Sequence, residues 1–335
     1  MSALALAGLL LGSSFTGRGA VPEDAPLVID TDAGADDYLA LAYLLAQPGL
    51  KIDGITVVNG LAHVEAGVRN VLGLCKLAGR GDIPVFAGET DPMEETAAFP
   101  DEWRNTADFL PRVDLPEAGR GAQTRTAGEY LAGILRDGQR RRVLALGPLT
   151  NLARALEQVP EGERRGIESI VIMGGAVGVR GNLQDGGYFR TENEAAEWNI
   201  FVDPRAAEIV FGSGLPLVLV PLDATNKVPI TERFVRDLTK RAANPLGKFV
   251  AQVLEGSSEL ISQGIFYAFD PLAAVVLLHR EAVTLRPGHI QILRKPPTQG
   301  RTWLLPGGRP NAEIAFDADP RLFVRFFNAA FSRAK

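Results

Sequence analysis

The sequence predicts an α/β fold built on one open, mainly parallel central sheet flanked by helices, with a Rossmann-like core. Two observations carry that prediction. Apolar runs of strand length alternate with helical patterns along the chain, and the runs are near-continuous Val, Ile and Leu with no apolar-polar alternation. Such strands are buried on both faces, which is the condition of a parallel sheet between helix layers. The 335 residues, 46% of them hydrophobic, suffice for a large core without disulfide staples.

The elements follow in order. Leu27, Val28 and Ile29 open a strand that ends at Asp30, and a helix is expected over residues 36–46, with Leu39, Ala42, Tyr43 and Ala46 on one face. A strand over 52–58, a helix over 64–77 and a short strand over 84–86 come next. Residues 127–135 read as helix, 143–146 as strand, 150–156 as helix and 167–173 as strand. Asp203 before Pro204 is a helix start, a capping oxygen followed by proline in the first turn. Residues 217–220 form another strand; after 283 come short strands at 291–293, 303–305 and 312–316, then a helix over 321–331.

Three segments break the alternation. Residues 91–121 are rich in proline and charge and show no period. Residues 174–197 are glycine-rich and polar, and 227–264 read as two helices with Thr231 as cap. Long loops after strands are where such folds place ligands, outside the carboxyl ends of the strands. With no repeat and no linker, residues 22–335 read as a single domain behind an extension over 1–21.

Composition narrows the function. Net charge is −5, from 35 basic and 40 acidic residues without long like-charge blocks, so no nucleic-acid footprint is present. Cys75 is the only cysteine, which excludes an intrachain disulfide and a thiolate cluster. With three histidines, an imidazole zinc site is disfavoured, and any metal should be held by oxygen. Residues 1–14 form an apolar stretch as long as a signal-peptide core but too short to span a bilayer, with no Lys or Arg before Arg18. A cytoplasmic protein is favoured and export through a weak signal is the alternative; no membrane partner is expected.

The strongest local signal is Asp30-Thr31-Asp32-Ala33-Gly34-Ala35-Asp36-Asp37, directly after the first strand. Carboxylates this dense repel one another, a cost that a bound cation removes, and hard oxygen donors at a strand-to-helix turn suit Ca²⁺ or Mg²⁺. The competing reading is an acidic helix cap with a solvated loop. Asp270-Pro271 opens an apolar helix after Phe266-Tyr267-Ala268-Phe269. Glu197-Trp198-Asn199 reads as an extended segment with two polar side chains on one face, with Asn182 nearby in sequence. Met173-Gly174-Gly175-Ala176 and the Gly147-Pro148-Leu149-Thr150-Asn151 run each end a strand, the latter exposing a carbonyl near Leu146.

This ordered set resembles the calcium-dependent nucleoside hydrolases (nucleoside N-ribohydrolases, which include inosine/uridine-preferring enzymes) over residues 26–334, with Ala33 where proline is usual. The resemblance implies the nucleoside hydrolase fold and hydrolysis of ribonucleosides to base and ribose, in purine salvage or general nucleoside catabolism. It implies Ca²⁺ on Asp32, Asp37, Asp270 and the Leu146 carbonyl, with Asp32 as general base for a calcium-held water. Asp36 and Asn199 would hold the ribose 2′- and 3′-hydroxyls, and Asn182, Glu197 and Met173 the 5′ side. A dimer or tetramer is the weakly implied assembly.

Two departures matter. Where many members carry Asn after the second strand, this chain has Leu61, with Asn59 two residues earlier; either Asn59 substitutes or the ribose contact is lost. Before Asp270 stands Phe269, where inosine/uridine-preferring members carry His, and Trp198 lies between Glu197 and Asn199. Both resemble the purine-preferring branch, in which aromatic stacking on the base replaces an acid; the alternative is ordinary packing. Trp103 would supply a second stacking face. The competing functions are a non-catalytic ribosyl-binding protein of this fold, motivated by Leu61, and an Asp-based phosphohydrolase using Asp30 or Asp32.

Overall fold

The computed structural model describes residues 25–94 and 98–332, so the apolar stretch over 1–14 and the extension over 1–21 lie outside the described residues. The strands are β1 (Leu27–Thr31), β2 (Ile52–Val57), β3 (Val85–Ala87), β4 (Arg141–Ala145), β5 (Ile167–Met173), β6 (Leu217–Val220), β7 (Val283–Gly288), β8 (Ile290–Leu293), β9 (Arg301–Leu304) and β10 (Ala312–Ala318). An eight-stranded sheet runs β3-β2-β1-β4-β5-β6-β10-β7, and β8 and β9 pair separately. Every neighbour in the large sheet is parallel except β10 with β7 at the edge.

The expected α/β architecture is therefore present, and side-chain alternation shows why. In β1, Leu27 and Ile29 enter the core on one face and Val28 the core on the other. The first core is closed by α1 (Ala35–Leu45), α2 (Val64–Leu77), α10 (Pro245–Gly256) and α12 (Phe269–Leu278). The second is closed by α4 (Ala127–Arg136), α5 (Thr150–Gln158) and α7 (Pro204–Phe211). The remaining helices are α3 (Asp101–Phe109), α6 (Trp198–Val202), α8 (Leu222–Thr225), α9 (Glu232–Arg241), α11 (Ser258–Ser262) and α13 (Pro320–Ala329). Among the described residues no helix is long and apolar enough to cross a membrane.

The order of strands positions the site. From β1 the sheet grows one way through β2 and β3 and the other way through β4, β5 and β6. A crevice opens at that reversal, outside the carboxyl ends of β1 and β4.

The structure corrects four sequence expectations. Residues 91–121 contain α3, whose single buried residue, Ala107, is too little for an apolar period to register. Residues 227–264 hold three helices, α9, α10 and α11, with Thr231 Oγ1 accepting from the Phe234 N–H as the expected cap. β7 was not expected: it is an edge strand, mostly open to solvent, with Pro287 near its end. Glu197-Trp198-Asn199 is not extended, because Glu197 is the N-cap of α6.

Candidate active site

The turn after β1 builds the floor of the crevice. Thr31 Oγ1 donates to Asp37 Oδ1 and accepts from the Ala33 N–H at 3.1 Å, while the Gly34 N–H donates to Asp37 Oδ2 at 3.0 Å. Both oxygens of Asp37 are thus fixed by the turn that starts α1. Ala33 adopts φ +59°, so the proline usual at this point of the motif, held near about −65°, does not fit the turn as built.

Asp32 is fixed from both sides. Its Oδ2 accepts the Leu61 N–H at 2.8 Å. Two glycines let the neighbouring loops close on it: a Cβ at Gly60 would lie 2.1 Å from Asp32 Oδ2, and one at Gly147 2.7 Å from Asp32 Cβ. Asp270, in the first turn of α12, reaches the same floor. Carboxylate oxygens of Asp36, Asp37 and Asp270 fall within 4.8 Å of one another, and Asp37 also neighbours Asp32. Asp32, Asp37 and Asp270 are buried and Asp36 is half-buried. Burial first, then the charges of neighbouring carboxylates, pushes Asp32 and Asp270 well above the usual carboxylate range and Asp36 up to about 7.

The rear wall joins the ends of β4 and β5. Asn199 Nδ2 donates to the Leu146 carbonyl at 2.7 Å and reaches the Met173 carbonyl at 3.4 Å. Glu197 accepts three backbone N–H groups: Gly175 at 2.8 Å, Asn199 at 2.9 Å and Ile200 at 3.3 Å. Asn182 Oδ1 accepts the Trp198 N–H at 3.2 Å. Glu197 therefore fastens the loop after β5 to α6 and so places Asn199. Glu197→Ala leaves those donors without a partner inside the fold, and the expected loss is about 2–4 kcal/mol in urea unfolding; a change under about 1 kcal/mol would contradict the fastening role.

Asp32, Asp36, Asp37, Leu146 and Asp270 line one cavity of about 280 Å³ together with Met173, Asn182, Glu197, Trp198, Asn199 and Phe269. Asn59 does not. It is buried behind the lining with Oδ1 accepting from Arg104 of α3 at 3.0 Å, and Leu61 faces the cavity in its place. The candidate replacement contact by Asn59 is thus not made in this structure. Trp198 is a packed ring: it stacks on Phe99 at 4.9 Å and 22°, and meets Phe189, Trp103 and Phe201. At 4% exposed it presents little surface to the cavity. Phe269 is half-buried and tilted against Tyr267, so it keeps an accessible edge in the cavity. Phe99 and Tyr188, which also line the cavity, carried no sequence signal of their own.

The donor set fits a divalent cation. Asp270 Oδ1 is buried with no hydrogen-bond partner, and no Lys, Arg or His is among the described residues lining the cavity. A buried anion without partner or counter-charge is costly, and an oxygen-only cluster meets the preference of a hard ion.

Comparison with known proteins agrees with this geometry. The family described as inosine-uridine preferring nucleoside hydrolase matches residues 27–325. The chain is 37% identical over 314 residues to the pyrimidine-specific ribonucleoside hydrolase RihA of Citrobacter koseri, covering 89% of this chain and 95% of that protein. Among solved structures it is similar to a purine-preferring ribonucleoside hydrolase from Gardnerella vaginalis (TM-score 0.77, 29% identity, 92% of this chain and 98% of the other). It is also similar to a plant nucleoside hydrolase (TM-score 0.80, 27% identity, 93% and 100%).

Proposed function

The chain belongs to the inosine-uridine preferring nucleoside hydrolase family, and from that premise we propose that it hydrolyses ribonucleosides to free base and ribose with Ca²⁺ held by Asp32, Asp37, Asp270 and the Leu146 carbonyl, favouring purine ribosides. It is a hydrolase acting on N-glycosyl bonds. The observation that supports the metal reading best is the unpartnered Oδ1 of buried Asp270 beside Asp36 and Asp37.

Cleaving the bond to the base develops positive charge on the sugar, as in other glycosyl hydrolyses. When bound, the ion supplies an acidified water and a grip on the ribose hydroxyls. Asp32, pinned by the Leu61 N–H and hemmed in by Gly60 and Gly147, accepts a proton from the attacking water. Asp36 and Asn199 hold the 2′- and 3′-hydroxyls, and their neighbours' negative charge stabilises the cationic sugar. Asn182, Glu197 and Met173 flank the 5′-hydroxyl. Phe269 packs the base and offers no proton, so departure of the base relies on its own protonation, which suits purines with a basic ring nitrogen. The phosphohydrolase alternative falls with family membership, and among the described lining residues no cationic side chain is present to hold a phosphoryl group. Assembly as a dimer or tetramer belongs to the same proposal and is read by light scattering.

Base release from inosine, adenosine, guanosine, uridine, cytidine and deoxyinosine, with Ca²⁺ and with chelator, tests the reading. The expected result is chelator-sensitive release from ribosides, with purines ahead and deoxyinosine far behind. Tight nucleoside binding without release would select the silent-binder alternative. Phe269→Ala should cost about tenfold on purine ribosides and less on uridine; equal losses would make the ring a packing residue only.

A further inference from the structure

We propose that Arg104 and Asp108 of α3 are positioning residues for Asp32. They grip the loop over residues 59–63 at its two ends and so hold the Leu61 N–H on the Asp32 carboxylate. The inference rests on the ribohydrolase reading and adds to it residues that lie outside the cavity lining.

The loop between β2 and α2 lies directly on Asp32. The Leu61 N–H donates to Asp32 Oδ2 at 2.8 Å, and the Ala62 N–H donates to the Asp32 carbonyl at 2.9 Å. Between them and Asn59, Gly60 comes so close that a Cβ there would sit 2.1 Å from Asp32 Oδ2. A shift of this loop therefore either displaces Asp32 or takes away its donor.

One helix holds the loop from outside. Arg104 Nη2 donates to Asn59 Oδ1 at 3.0 Å. One turn further along α3, Asp108 Oδ1 accepts the His63 N–H at 2.8 Å and Oδ2 meets His63 Nδ1 at 2.7 Å. The Asp108 carbonyl also accepts from Arg69 and Asn70 of α2, each at 3.1 Å. Residues four apart share a helix face, so Arg104 and Asp108 reach the loop together. Trp103 and Ala107, each one position earlier, line the cavity. Thus α3 turns one face to the substrate space and the next to the loop that carries the donor of Asp32.

Apolar packing does not account for this placement, since Ala107 is the one buried residue of α3. Nor does Arg104 behave as an ordinary surface cation. It is half-buried, its Nε is buried without a hydrogen-bond partner, and its one side-chain hydrogen bond among the described residues goes to Asn59. A guanidinium drawn out of water is usually paired with a carboxylate. This one is committed to a neutral amide oxygen, which gains little stability and fixes the end of the loop.

The test compares Arg104→Met, Asn59→Leu, their double variant and Asn59→Asp with the parent, on inosine at saturating Ca²⁺. Asn59→Leu keeps the charge of Arg104 and removes only its acceptor, whereas Asn59→Asp keeps an acceptor oxygen. Misplacing a reacting group by about 1 Å costs about a hundredfold, so Arg104→Met and Asn59→Leu should each lower kcat at least about tenfold, with KM nearly unchanged. The double variant should lose no more than the worse single one, because both remove the same contact. Asn59→Asp should stay close to the parent. Deuterium exchange, which needs no turnover, should quicken at least about tenfold at the Leu61 and Ala62 amides in the two single variants. Should Arg104→Met fail to fold, Asn59→Leu and Asn59→Asp carry the same comparison. If α3 is only a wall of the cavity, KM rises while kcat holds. That result, additive losses in the double variant, equal losses in Asn59→Leu and Asn59→Asp, or unchanged exchange at Leu61 would overturn the inference while the parent still hydrolyses ribosides. A parent that releases base from no riboside would overturn the ribohydrolase reading and the inference with it.

Discussion

Asp270→Ala is expected to lower turnover by about 10³-fold or more and to abolish stabilisation by Ca²⁺, while leaving the chelated protein as stable as the parent or more so. The two halves have one cause. Asp270 is 2% exposed, its Oδ1 has no partner, and its carboxyl lies against Asp37 and Asp36. Without a cation it is a buried group repelled by its neighbours, so removing it relieves repulsion and strands no donor. With a cation it is one of the few oxygens that can complete the shell. A saturating ligand at about a hundredfold above its Kd adds about 2.7 kcal/mol to the folded state, which in a chain of this size is a rise of several degrees in Tm. The parent should show that rise on adding Ca²⁺ and the variant should not. Asp32→Ala should behave alike in turnover, losing the base as well as a ligand. Turnover within tenfold of the parent in either variant, or an undiminished Ca²⁺-induced rise in Tm for Asp270→Ala, would remove the assigned set from the site.

The parts of this site that the sequence disclosed are those whose partners lie close along the chain. Asp32, Asp36 and Asp37 stand within one turn after a strand, and strand-to-helix turns carry the ligands of open parallel sheets, so both their location and their chemistry could be read directly. The strands were legible because a doubly buried strand needs apolar residues at every position, as in Leu27, Val28 and Ile29. Glu197 illustrates the opposite case. Its carboxylate caps α6 and also takes the N–H of Gly175, which is 22 positions away. Nothing in Glu197-Trp198-Asn199 distinguishes that from an extended segment. For Trp198 the resemblance leaves base stacking and ordinary packing both open, and the structure stacks Phe99 on its ring, a partner 99 positions away that the local sequence does not announce. Asn59 offered the right chemistry two residues from the right place. What turned it away was Arg104 on α3, a helix that the sequence pattern did not reveal.

Stability should also depend on pH with a sign that Ca²⁺ changes. In the chelated protein, burial and mutual repulsion raise Asp32 and Asp270, and bring Asp36 to about 7 from 3.8. Asp30, buried beneath the floor with Oδ2 unpartnered, also rises to about 7. A carboxyl whose folded pKa lies above its unfolded one keeps its proton in the native state longer than in the unfolded chain. Between pH 4 and 7 the folded state therefore binds more protons, and stability falls as pH rises through that window. The favourable contribution is fully present below the unfolded pKa and is gone above the folded one. A divalent cation reverses the preference, since it binds the ionised carboxylates and displaces their protons. Its apparent affinity should climb from pH 5.5 to 8, by up to about tenfold per pH unit for each proton displaced. The measurement is Tm against pH from 5 to 8 in EDTA and in saturating Ca²⁺, together with proton release on Ca²⁺ titration in weak buffer at pH 6. The EDTA curve should decline toward pH 8 and the Ca²⁺ curve should hold level or rise, so that their gap widens with pH. Parallel curves with no proton release would mean that the floor carboxylates are already ionised without the metal, and that the repulsion argued from their packing is relieved by something other than protons.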